Sequence, residues 1–135
     1  MEPVASLFTR IIEGEIPGRF IYRDDRCVAF LTIEPLRPGH TLVVPIAEVD
    51  DWLDLDPGLA SHLMIVAQRI GRAIDTVWEP TRVAMMIVGL DVPHVHIHVT
   101  GIDSAADLDF GNVDRDASAE SLDDAADRLR IALDG

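Results

Sequence analysis

Residues 91–101 read DVPHVHIHVTG, with His94, His96 and His98 at every second position and Val95, Ile97 and Val99 filling the alternate ones. Only two other histidines, His40 and His62, occur in the chain. Strict alternation of imidazole with branched apolar residues has the period of a β-strand, in which successive side chains point to opposite faces. The spacing predicts a strand over 94–100 with three imidazoles on one face and the apolar residues against a core. Three rings in a row bring six nitrogens that each need a partner or water. Three readings of that face stay open. It is a solvated surface, although such faces ordinarily use Thr, Lys, Glu or Ser. It is a metal site, with alternating imidazoles and a further ligand from elsewhere. Or it is a nucleophilic site, in which a neutral imidazole attacks phosphorus and splits one displacement into two.

The flanking sequence supplies the rest of a sheet. Arg19–Arg23, Cys27–Ile33, Thr41–Pro45 and Arg82–Val88 alternate or run apolar between turn residues and are expected as strands. Ser6–Gly14 reads as a short helix, with Ser6 as cap. Asp56-Pro57 opens a long helix over 57–77, whose Leu59, Leu63, Val66, Ile70, Ile74 and Val77 form one stripe. Ser118 caps a last helix through Leu133, with Leu122, Leu129 and Leu133 inward. The expected fold is α+β: one domain over 1–135, with an antiparallel sheet of about five strands, a short N-terminal helix, one long helix and a C-terminal helix.

The net charge of −13 argues against long nucleic acids as partners, since the overall field repels a phosphate polymer. A small nucleotide is not excluded, because a pocket is made locally favourable by imidazoles and backbone N–H groups. No apolar run reaches membrane-spanning length, and MEPVASLFTR lacks the basic-then-apolar order of a signal peptide. Cys27, the single cysteine, has no internal disulfide partner, which suits a reducing, cytoplasmic setting.

The wider pattern resembles the histidine triad (HIT) family of nucleotide hydrolases and transferases. His-φ-His-φ-His-φ, with φ apolar, is that family's signature. SLFTRIIEGEIPGRFIYRDDRCVAFLTIEPLRPGHTLVVP is similar to its N-terminal half, with an apolar pair before a short helix, the EIP turn, a DD turn, an AF strand, I-x-P, and GH before an apolar strand and Pro. The resemblance covers about residues 6–101 and implies a HIT-like fold, followed by an acidic extension over about 104–135.

The resemblance implies roles. His96 matches the nucleophile that attacks the α-phosphorus of a nucleoside phosphoramidate or related nucleotide, giving a nucleotidyl-histidine that water then cleaves. His98 matches the phosphate contact. His94 supports the nucleophile through its backbone carbonyl, and His40 stands behind the triad strand. Leu7, Phe8, Ile11, Ile16, Phe30, Ile33 and Leu42 match an apolar purine pocket, although each is equally a core residue on local grounds. The implied partner is an AMP- or GMP-like nucleotide, and the implied assembly is a homodimer joined through a strand edge and the long helix. No cofactor is implied.

Three departures from the family pattern stand out. Thr32 replaces the Asp that holds both ribose hydroxyls, and one neutral hydroxyl cannot hold two as the paired, charged oxygens of a carboxylate do. The loop before the triad is short, VGLDVPH, with Asp91 in place of a phosphate-binding hydroxyl. Gly89 and the N–H groups around Val92 remain as phosphate contacts. Asp91 is either a turn residue or a hydrogen-bonding group for an imidazole or a leaving amine. Ser6, Thr9 and Glu48 stand where some members carry zinc ligands, and hydroxyls replace thiolates poorly, so no structural zinc is expected. FGNVDRD, in the acidic extension, is either a surface loop or a cover for the pocket mouth. The function expected is a nucleotide phosphoramidase or hydrolase; the alternatives are a nucleotide-binding regulator with reduced turnover and a histidine-based metal-binding protein.

Overall fold

The structure, a computed structural model, describes residues 5–135. Residues 1–4, part of the stretch read for a signal peptide, lie outside the described residues. In chain order the elements are α1 (Leu7–Ile12), β1 (Phe20–Arg23), β2 (Cys27–Leu31), β3 (Thr41–Pro45), α2 (Pro57–Trp78), β4 (Arg82–Met86), β5 (Ile97–Ile102) and α3 (Ala119–Asp134). Short 3-10 turns lie at Trp52–Asp54, Ala105–Leu108 and Phe110–Asn112. The five strands form one antiparallel sheet in the order β1-β2-β3-β5-β4. This is the expected α+β architecture.

Both faces of the sheet are covered, so β2 and β3 are buried throughout. On one face α2 and α3 pack Leu63, Val66, Ile70, Ile74 and Leu129 against Ala29, Val43, Ile97 and Val99. Asp56 caps α2 by accepting the N–H groups of Gly58 and Leu59, and Pro57 occupies its first turn. Ser118 caps α3 through the N–H of Ser121. On the other face, under α1, Phe8, Ile11, Val28, Phe30, Leu42 and Val44 form a smaller apolar cluster. Among the described residues no helix is long and apolar enough to cross a membrane.

Two strands end earlier than the residue pattern predicts, β1 begins one residue later, and the triad strand begins three residues later. β2 stops at Leu31, because Thr32 turns back through its hydroxyl, which accepts the N–H of Glu34 at 3.2 Å. β4 stops at Met86, opposite His98. The triad strand starts at Ile97, so that His94 and His96 precede the ladder. The register Val43↔Ile97 would next set Pro45 opposite Val95. Pro45 has no N–H to offer, and its carbonyl is taken by the His94 ring. Val95 instead donates its N–H to Val49 at 2.7 Å, in the following loop.

Candidate functional site

His94, His96 and His98 arrive together on the α1 side of the sheet, beside His40 at the entry to β3. The hydrogen bonds fix which nitrogen of each ring carries the proton. Leu36 donates its backbone N–H to His40 Nδ1 at 3.0 Å. Nδ1 is therefore an acceptor, and the proton of a neutral His40 sits on Nε2. That Nε2 lies 2.9 Å from His98 Nδ1, so it donates to His98. His98 in turn keeps its own proton on Nε2. A backbone amide thus sets the tautomers of two imidazoles in series.

His96 is fixed separately. Its Nδ1 lies 2.8 Å from the carbonyl oxygen of His94, which only accepts, so Nδ1 holds the proton and Nε2 carries a lone pair. Phe8 packs edge-on against the His96 ring at 4.8 Å, and His98 does so from another side at 4.9 Å. Burial lowers the basicity of His96; the hydrogen bond to His94 opposes that only in part. Burial also pushes His98 down to about 4, with His96 adding to the effect, and His40 down to about 3, with His98 adding. The three rings are neutral at pH 7.

His94 is fully buried, and both its ring nitrogens are used. Nε2 donates to the Pro45 carbonyl at 2.7 Å, and Nδ1 accepts from the Ser6 hydroxyl at 2.6 Å. Ser6 Oγ also accepts the N–H of Thr9, capping α1, while the Ser6 N–H donates to Glu48 at 2.6 Å. The Thr9 hydroxyl and the Ser6 N–H hold the Glu48 carboxyl below its usual range. Ser6, Thr9 and Glu48 therefore converge on His94 as a hydrogen-bonded cluster. Its two hydroxyls and one carboxylate do not fit a structural zinc. Ser6→Ala removes both a helix cap and the partner of a buried ring nitrogen. Urea denaturation is expected to register a loss of about 2–3 kcal/mol. A loss under about 1 kcal/mol would show that the Ser6–His94 bond carries no stability.

His40, His96 and His98 line a cavity of about 450 Å³, together with Thr32, Gly89, Asp91 and Val92. Gly89 adopts φ +71°, a left-handed conformation that turns the short loop toward the triad. Gly39 holds His40 in place: its φ is +88°, and a Cβ there would lie 2.3 Å from the Trp78 ring. Among the described residues, the Asp91 carboxylate makes no hydrogen bond to a triad imidazole. It faces the cavity from an exposed position.

The residues expected to form an apolar purine pocket lie in two settings. Phe8, Ile11, Phe30 and Leu42 are packed into the cluster behind His96, with Ile16 against it, and they do not line this cavity. Leu7 and Ile33 are exposed. The apolar walls of this cavity are Val88, Leu90, Val92, Phe110 and Val113. Phe110 lies edge-on to His98 at 5.0 Å. Asp114 donates its N–H to Pro35 at 2.9 Å, and Arg115 meets Glu34 at 3.6 Å. FGNVDRD is therefore a rim of the cavity. Residue pattern alone left it undecided, because its contacts span some eighty positions of chain to Pro35 and Glu34.

Comparison with known proteins agrees with this arrangement. The HIT domain profile matches residues 13–105. Protein hit of Bacillus subtilis is 32% identical over 98 residues, which is 69% of this chain and 68% of that protein. A Hit-like protein involved in cell-cycle regulation from Bartonella henselae, solved with an unknown ligand, superposes with a TM-score of 0.83 at 26% identity, covering 98% of this chain and 99% of that one. A zinc-bound histidine triad family protein from Mycobacterium smegmatis superposes at 0.82 with 29% identity, covering 96% and 94%. The profile, the relatives and the three converging imidazoles lead to one conclusion: this chain belongs to the histidine triad (HIT) family.

Proposed function

We propose that the protein is a nucleotide hydrolase of the phosphoramidase type. The observation that carries this reading is the bond from His96 Nδ1 to the His94 carbonyl, which leaves Nε2 unprotonated beside the cavity. His96 Nε2 attacks the α-phosphorus of a purine nucleoside phosphoramidate or similar nucleotide. A nitrogen–phosphorus bond forms to the enzyme while the bond to the leaving amine breaks, and the amine departs neutral after taking a proton from solvent. Water then attacks the same phosphorus, releasing the nucleoside monophosphate and restoring His96. His98, whose Nε2–H is its remaining donor, and the backbone around Gly89 and Val92 meet the phosphate oxygens. Quenching a reaction with an α-labelled AMP amidate is expected to trap label on His96. Turnover without label on that residue would overturn the covalent step.

Asp91 favours a second reading, a nucleotide-binding regulator with slow turnover, because a carboxylate beside a phosphate opposes binding and charge development. Thermal stabilisation by AMP or GMP without release of amine from an amidate separates this reading from the first.

The same proposal takes the protein as a cytoplasmic homodimer. Among the described residues β4 is an unpaired sheet edge, and a groove of about 480 Å³ runs between it and α2, with Met64 and Met85 among its walls. Both methionines are about half exposed (49% and 47%). An uncovered apolar strand edge is ordinarily paired or covered. Light scattering is expected to give twice the chain mass for the wild type and a single chain for Met85→Glu. A monomeric wild type at micromolar concentration would refute the dimer.

A further inference from the structure

We propose that Asp24, Cys27 and His62 form a second site, apart from the triad cavity, that binds a borderline divalent cation such as zinc or cobalt. Asp24 lies in the β1–β2 turn, Cys27 opens β2, and His62 lies one turn into α2. One ligand-capable atom from each falls within 4.8 Å of the other two. His62 Nε2 is 2.7 Å from Asp24 Oδ2, and Cys27 Sγ is 3.9 Å from the same oxygen. Ligands on a tetrahedral zinc sit about 2.0–2.3 Å from the metal, hence about 3–4 Å from one another. The observed separations bracket that range, and rotamer adjustments of less than about 1 Å close it. Tyr22 donates its hydroxyl to Asp24 Oδ2 at 2.6 Å, a bond that a cation on that oxygen would displace or share.

The donor set selects the metal. One thiolate, one imidazole and one carboxylate suit zinc or cobalt and are poor for magnesium or calcium, which prefer oxygen alone. Access comes from the α2 side, where the His62 and Asp24 side chains are each about one-fifth exposed (23% and 21%) while Cys27 is sealed beneath them. Asp24 Oδ1 already accepts the N–H groups of Arg26 and Cys27, which holds the carboxylate in place without occupying Oδ2. On binding, the thiol proton leaves to solvent, and the proton that a neutral His62 shares with Asp24 moves from Nε2 to Nδ1. A cation here ties the β1–β2 turn to α2, on the side of the sheet opposite the triad.

Cobalt titration of the intact protein tests this. The expected result is one equivalent bound, with a thiolate-to-cobalt charge-transfer band in the near ultraviolet and intense visible bands of tetrahedral cobalt. His96→Ala is expected to retain that band. Cys27→Ser is expected to lose it, and His62→Gln to weaken binding at least about tenfold. Absence of a thiolate band in the wild type, or cobalt binding lost in His96→Ala and kept in Cys27→Ser, would overturn the proposal. Should Cys27→Ser fail to fold, the wild-type band and His62→Gln decide it.

Discussion

Replacing His96 by alanine is expected to lower kcat for a nucleoside phosphoramidate by at least about 10³-fold while leaving nucleotide affinity within about threefold. The split follows from what the ring does. Its Nε2 supplies the attacking lone pair, and no other imidazole here can take over. The ring nitrogens of His94 are both consumed, by Pro45 and Ser6. His98 Nδ1 is consumed by His40, which leaves its protonated Nε2 as a donor. Binding is spared because the apolar walls of the cavity come from Val92, Phe110 and Val113 and not from the His96 ring. Single-turnover kinetics together with a binding titration check both halves. Equal turnover in His96→Ala would refute the nucleophile, and loss of binding in a folded variant would recast His96 as a binding residue.

The period-two histidine pattern made one face of the sheet readable, because side-chain direction in extended backbone depends on position alone. Where the ladder begins was not readable from 94–100. It depends on Pro45, about fifty residues away, whose missing N–H ends the pairing. Phe8, Ile11, Phe30 and Leu42 illustrate a second limit. An apolar residue against an imidazole and an apolar residue against a purine have the same composition and spacing, so only the packed cluster shows where these four side chains reside. Phe110, Val113 and Arg115 had no periodic signal, since a cavity rim made of 3-10 turns and bends is recognisable only once Pro35 and Glu34 are known to lie beside it. Ser6 was legible as a cap, but its bond to His94 spans 88 positions. Asp24, Cys27 and His62 are unremarkable as a turn residue, a strand residue and a helix residue until α2 is laid across β2.

Acidification from pH 6.5 toward 4 is expected to destabilise the fold steeply and to remove activity over the same range. His40 and His98 have folded-state values of about 3 and 4, against 6.5 for a free imidazole. Between those limits the unfolded chain binds protons that the folded chain refuses, so the stability of the fold rises with pH and falls as acid is added. Each group contributes a slope of up to about 1.4 kcal/mol per pH unit, and His96, also lowered by burial, acts in the same direction. Their contribution is complete above pH 6.5. The relay explains why activity goes with stability: a proton on His98 Nδ1 turns an acceptor into a second donor facing His40 Nε2–H, and a proton on His96 Nε2 removes the nucleophile. Urea denaturation at pH 7, 6, 5 and 4.5 measures the slope, and His40→Asn is expected to reduce it by the share of one group. A stability profile flat from pH 7 to 4.5, or a slope unchanged in His40→Asn, would mean that the buried imidazoles are not held neutral by the fold, and the tautomer assignment of the site would fall with it.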